Sequence, residues 1–300
     1  RTPRLLKDTP IMTRLLTLDD ISKADAADIG DLLETELPGI EFSYAMDQQV
    51  TLNMQGFGGN SVLFLVDGEK IAGETLDNID YSRLNLDNVE KVEIIKGAAS
   101  SLYGSNAVGG VVNLISAQAK EPWSVNMNAR YGAHNEQRYG GSVGFRKGKF
   151  NSLTTGQYSS IDSYDMKNSG DYSKFYGGWN WSLKERLQYE PADGLKLTGR
   201  AGYFMRERLM QPDAHDRYYD MNAGLKGEYE INDRQRVELS YSFDQYDKSD
   251  FLPLKGINVR DYSNVQNTVR GIYSCNFDSE GQHVLIMGGD YMRDYLMSYQ

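Results

Sequence analysis

Cysteine is nearly absent from this chain of 300 residues: Cys275 stands alone. No internal disulfide can form, and no thiolate-based metal site is supported. Long apolar runs are missing as well. The longest strongly apolar stretch, Val62 to Val66, falls far short of the roughly 18 residues a membrane helix needs, and mean hydropathy is −0.57. Membrane residence would therefore have to be that of a β-barrel, whose lipid-facing residues are diluted by alternation. A basic excess is lacking too: 32 Lys and Arg stand against 42 Asp and Glu, a formal charge of −10. No clustered basic surface is on offer, which excludes nucleic acid as the expected partner. Histidine occurs three times and none of the usual catalytic constellations is visible, so the chain is not expected to be an enzyme. Arg1 is not followed by an apolar leader, and the expectation is a mature or trimmed form.

What is present is concentrated in Val89 to Ser116. Two β-branched apolar runs, Val92 to Ile95 and Val111 to Ile115, flank a connector carrying Gly97, Gly104, Gly109 and Gly110. Runs of this length punctuated by glycine read as short buried strands joined by a tight backbone path. Upstream stand Asp31-Leu32-Leu33, then Leu37-Pro38-Gly39-Ile40, then Leu63-Phe64-Leu65-Val66-Asp67-Gly68. Taken in this order, the four motifs closely resemble the plug domain of TonB-dependent outer-membrane receptors, over roughly Thr9 to Ser116. The resemblance implies a mixed α/β plug followed by antiparallel transmembrane β-barrel strands. It also implies import of a scarce, large ligand across the outer membrane of a Gram-negative bacterium, driven by the TonB complex. The family's energy-coupling segment should precede Pro10 and is not found in this sequence.

Apolar residues from Leu18 to Leu37 fall at helical spacing, with Asp19 and Asp20 as N-terminal caps and Pro38-Gly39 as the stop. Val50 to Met54 and Val62 to Val66 read as strands, and Asp80 to Asn88 as a short helix. After Lys120 the texture changes, which divides the chain into a plug, 1–118, and the first part of a barrel, 119–300. Val237, Leu239, Tyr241 and Phe243 alternate with Arg236, Glu238, Ser240 and Ser242, and comparable patterns run from Leu195 to Tyr203 and from Tyr219 to Tyr229. About nine strands are expected, fewer than the 22 or so of a plugged transporter barrel, so a full barrel would continue beyond Gln300. Short turns at Lys147 to Lys149, Pro191 to Gly194, Ile231 to Arg234 and Asp278 to Gly281 alternate with longer loops expected near 161–173, 206–217 and 247–261. Tyr131, Tyr139, Tyr189, Tyr229 and Tyr246, with Trp179 and Trp181, suit aromatic girdles facing membrane lipid. Glu185 shares an apolar face and fits there only if a bulge shifts the register.

Exposed plug segments are the natural ligand contacts: Phe42, Tyr44 and Met46 in one, Glu74 and Asp77 in another. In relatives, basic plug residues pair with barrel carboxylates as a latch; here Gln55, Glu93 and Lys96 occupy the corresponding positions, with Lys and Gln where arginine is usual. Gly56, Gly58 and Gly59 lack the following Lys-Ser/Thr of a phosphate loop and are expected to shape a turn. The segments Asn53 to Asn60 and Gly73 to Asn78 resemble haem receptors of the Bacteroidetes type. That implies haem as transported ligand, no resident cofactor and a surface haem-binding lipoprotein as a further partner. His134 or His215, in outer loops, would then be the axial ligand. Cobalamin or a ferric siderophore is the rival cargo on the same fold. A passive porin has no use for a hundred-residue plug, and a surface binding protein without transport would want an apolar interior.

Overall fold

The computed structural model describes residues 13–24, 26, 28–44, 50–54, 56–58, 61–71, 79–87, 89–96, 107–165, 174–211, 214–277 and 283–299. The chain divides into two compact units, Arg1–Ala117 with Asp165–Tyr176, and Gln118–Tyr164 with Gly177–Gln300.

The first unit runs β1 (Thr13–Thr17), α1 (Leu18–Ala24), α2 (Ile29–Glu36), β2 (Ile40–Tyr44), β3 (Val50–Met54), β4 (Phe57–Gly58), β5 (Val62–Val66), β6 (Glu69–Lys70), β7 (Val89–Lys96) and β8 (Gly110–Ser116). Two helices replace the single one expected, because the Asp28 carboxylate accepts from the backbone N–H groups of Gly30 and Asp31 and so starts a new helix. α2 buries Ile29, Leu32 and Leu33 completely, and it stops ahead of Gly39, whose φ of 88° continues no helix. Of the helix expected over 80–88, only a 3₁₀ turn at Tyr81–Arg83 forms. Strands β1, β7, β8, β5 and β6 make a mixed sheet in that order, with β5 parallel to β8 and β7 antiparallel to it.

A polar chain stitches this sheet across its strands. Asp67 and Gly68, with φ of 54° and 87°, turn β5 into β6 as a primed turn demands. The Asp67 carboxylate accepts from the Ser116 backbone N–H at 2.9 Å and hydroxyl at 2.8 Å. Asn113 accepts from the Gly68 N–H at 3.0 Å and donates to Glu93 at 3.3 Å, and Glu93 pairs with Lys91. Asn113→Leu is expected to cost about 1–3 kcal/mol, since it strips partners from half-buried polar groups. The unfolding midpoint of the first unit in the purified full-length protein checks this, and an unchanged midpoint would refute it.

β12 (Tyr164–Asp165) and β13 (Lys174–Phe175) pair as a short ribbon. The second unit is an antiparallel meander of β9 (Trp123–Tyr131), β10 (Gln137–Lys147), β11 (Phe150–Ile161), β14 (Gly178–Ala192), β15 (Leu195–Gln211), β16 (Ala214–Asn232), β17 (Gln235–Leu252), β18 (Ile257–Asn276) and β19 (Val284–Ser298), each paired with the next in sequence. Its two faces are inverted relative to a water-soluble sheet. Leu225 and Leu239 are 68% and 61% exposed, whereas Asp220, Ser240 and Gln266 on the opposite face are 2–3% exposed. Apolar groups outward and polar groups covered is the arrangement a lipid solvent selects.

Aromatic rows bound the apolar face. Trp123, Phe145, Phe150 and Tyr189 lie towards the short-turn end, with Trp123 edge-on to Phe145 at 5.0 Å. Tyr139, Tyr158, Trp181 and Tyr203 form the other row. Phe150 and Tyr158 stand eight residues apart on β11, about 27 Å along the strand and about 20 Å along the barrel axis at the usual tilt, near the ~25 Å of a barrel's apolar band. Tyr246 does not join either row: it is 2% exposed on the polar face. Glu185 does lie on the apolar face, without a bulge. Its register with β11 is regular, and its two carboxylate oxygens accept from the hydroxyls of Ser152 and Thr154 on that strand.

The loops expected at 206–217 and 247–261 are strand instead. β15 to β18 run 17–20 residues, well beyond the 9–11 that cross a bilayer. Cross-strand ion pairs hold these extensions where lipid no longer does, notably Arg208 with Asp216 at 2.6 Å and Arg217 with Glu207 at 2.7 Å.

Candidate functional site: the polar wall above the apolar band

On the strand extensions, the polar face gathers aromatic and charged groups from four strands. Arg206 and Arg208 come from β15, Tyr218 and Asp216 from β16, Tyr246, Lys248 and Asp250 from β17, and Asp261 and Tyr262 from β18. Tyr218, Tyr246 and Tyr262 make a ladder with ring centroids 6.0 and 6.5 Å apart. The guanidinium carbons of Arg208 and Arg206 lie 5.0 and 5.9 Å from the Tyr218 centroid. Arg208 also donates to the Tyr218 hydroxyl. Lys248 Nζ sits among three carboxylates, Asp261 at 3.0 Å, Asp250 at 3.8 Å and Asp216 at 3.9 Å. Burial raises the Asp250 carboxyl above its ordinary range, and Asp216 and Asp261 push the same way against Lys248.

Three cations meet three carboxylates at these positions, and Asp220, opposite Tyr246 on the same face, adds a fourth. The groups the wall presents are tilted tyrosine rings and charge-assisted hydrogen bonds. Among the described residues, no group of His, Cys, Asp and Glu side chains could hold a metal ion.

The residues expected from sequence are placed as follows. Phe42 is not a loop contact. It is 5% exposed in β2 and edge-on to Tyr81 at 5.2 Å, with Phe64 edge-on to the same ring at 5.3 Å, because alternation in β2 aims it into the core. Tyr44 ends β2, whereas Met46, Gln55, Glu74 and Asp77 lie outside the described residues. Glu93 is engaged by Lys91 and Asn113 within its own sheet. Lys96 closes β7 opposite Gly110.

His134 lies in the β9–β10 connection with φ of 56°, its ring stacked 3.6 Å from Tyr164. His215 is not in a loop. It belongs to β16 on the same side as Arg217 and Tyr219, hence on the apolar-face side above the band, and its Nδ1 is 2.7 Å from Glu207. His283 lies at the short-turn end. Of the wall residues, Arg208 and Lys248 fall in segments that read as loops from sequence, Tyr218 borders one of them, and Tyr246 reads there as a lipid-facing girdle residue. Apolar–polar alternation gives no signal there, since Arg206-Glu207-Arg208 and Asp247-Lys248-Ser249-Asp250 are polar throughout.

Residues 5–111 match the model of the TonB-dependent Receptor Plug Domain. The chain is 27% identical over 220 residues to the vitamin B12 transporter BtuB of Vibrio vulnificus, covering 71% of this chain and 35% of that protein. It is 26% identical over 219 residues to the iron-regulated outer membrane virulence protein of Vibrio cholerae, covering 68% of this chain and 32% of the relative. Its fold is similar to that of the ferric-catecholate import receptor Fiu from Escherichia coli, with a TM-score of 0.79 at 15% identity over 98% of this chain and 50% of that one. The chain thus spans about a third of the length of these curated relatives. The expected likeness to Bacteroidetes haem receptors gives way to one with B12 and iron-regulated receptors.

Proposed function

We propose, from the premise that this chain is part of a TonB-dependent outer-membrane receptor, that the complete protein imports a large metal chelate of low net charge, with cobalamin first among the candidates. The observation that carries this is the wall itself, in which a tyrosine ladder stands beside cations that are matched or outnumbered by carboxylates. A strongly anionic ferric catecholate would favour a cationic wall, and a near-neutral corrin with many amide groups suits one without a cationic excess. The likeness to a vitamin B12 transporter supports the same order. A ferric siderophore is the second reading, supported by the likeness to an iron-regulated outer-membrane protein.

Haem ranks third. His215 points to the apolar-face side and is taken by Glu207, and His134 is stacked on Tyr164, so neither is offered to the wall. In this proposal TonB pulls on the first unit, and the stitched sheet around Asp67, Asn113 and Glu93 is what the pull must deform.

Titration of the detergent-purified full-length receptor with cobalamin, a ferric catecholate and haem tests the order. Saturable cobalamin binding that weakens about tenfold in Arg206→Ala is expected. Tight binding of the catecholate alone, or of haem alone, would overturn the cobalamin assignment. Binding of none of the three would overturn the metal-chelate reading.

A further inference from the structure

The apolar-face side of the second unit carries a cavity. It measures about 470 Å³ and is lined by Tyr203, Tyr219 and Met221 on one side and by Gln245, Asn258 and Arg260 on the other. Tyr203 lies with its ring tilted against Trp181 of the upper aromatic row, centroids 5.1 Å apart. The cavity therefore straddles the line between the hydrocarbon layer and the head groups.

A β-bulge builds it. Lys248 pairs with Tyr262, but Ser249 pairs with Arg260, leaving Asp261 as the extra residue. One extra residue reverses the facing of everything beyond it. Asp261 still meets Lys248 on the polar face at 3.0 Å, and Arg260 and Asn258 turn to the lipid side. There Arg260 pairs with Asp247 at 3.2 Å while remaining half exposed. Asp247 also accepts from the Gln245 amide at 3.0 Å.

The result is an aromatic floor beside guanidinium, carboxylate and amide groups. Flat rings take the C–H face of a sugar, and an oriented ion pair with amides spans neighbouring hydroxyls. A small zwitterionic phospholipid head has no ring to set on that floor. We infer that this cavity holds the saccharide head group of an outer-leaflet glycolipid, whose acyl chains run down the apolar face past Met221 and Leu225. The inference rests on the barrel's place in the outer membrane and is independent of the cargo.

The test uses the full-length receptor in detergent, exchanged into mixed micelles containing lipopolysaccharide or phosphatidylethanolamine, with retained lipid counted by native mass spectrometry. The wild type is expected to retain lipopolysaccharide. The double variant Asn258→Ala/Arg260→Ala should retain at least tenfold less, and Tyr219→Leu severalfold less, with phosphatidylethanolamine retention and cargo affinity unchanged. No retention by the wild type, equal retention by the variants, or a parallel fall in phosphatidylethanolamine would overturn it. A fall in cargo affinity in step with lipid loss would assign the cavity to import and equally overturn it.

Discussion

Leu225→Lys is expected to destabilise the folded barrel by about 2–4 kcal/mol, the penalty for a lysine at the bilayer midplane of an outer-membrane barrel. Leu225 is 68% exposed, and it sits midway along the apolar face of β16 between Met221 and Tyr229. In a water-soluble sheet the same replacement would fall within about 0.5 kcal/mol of neutral. The effect should also depend on depth. Ile231→Lys, at the short-turn end of β16 and 48% exposed, should cost only about 0–1 kcal/mol. Urea titrations of the full-length protein folded into lipid vesicles measure both. Equal and near-zero costs at the two positions would mean that this face does not meet lipid.

The second large effect lies in the plug. Gly110→Ala is expected to cost about 3 kcal/mol or more, from backbone strain and overpacking of about 1–3 kcal/mol each. Gly110 opens β8 at φ 149°, and a Cβ there would lie 2.6 Å from the Ile95 carbonyl oxygen and 3.1 Å from Met54 Cε. The backbone contact leaves little room to relax, because Ile95 and Gly110 belong to paired strands at the centre of the sheet. Limited proteolysis of the intact receptor should then cut the plug while the barrel keeps its folded migration on gels. A plug as resistant as the wild type would show that the strand pair can open without loss.

Much of this protein was legible as sequence, and the reason is solvent. Val62 to Val66 is apolar on both strand faces, and Val92 to Ile95 and Val111 to Ile115 are apolar except for Glu93 and Asn113, because β5, β7 and β8 are central or covered strands. The alternation through Val237 to Phe243 marks one face for lipid and one for polar groups, whatever the neighbours. What the sequence alone determined is therefore the order of plug and barrel strands and which side of each strand meets lipid.

Tertiary structure decided what depends on register. Glu185 finds Ser152 and Thr154 only because β11 pairs with β14, more than thirty residues away in sequence. Phe42 becomes core because Tyr81 and Phe64 close over it. The bulge at Asp261 sends Arg260 to the lipid side and leaves Lys248 among carboxylates. Parity can be counted along a strand, but one inserted residue inverts the count, and only the pairing of neighbouring strands shows where the insertion falls.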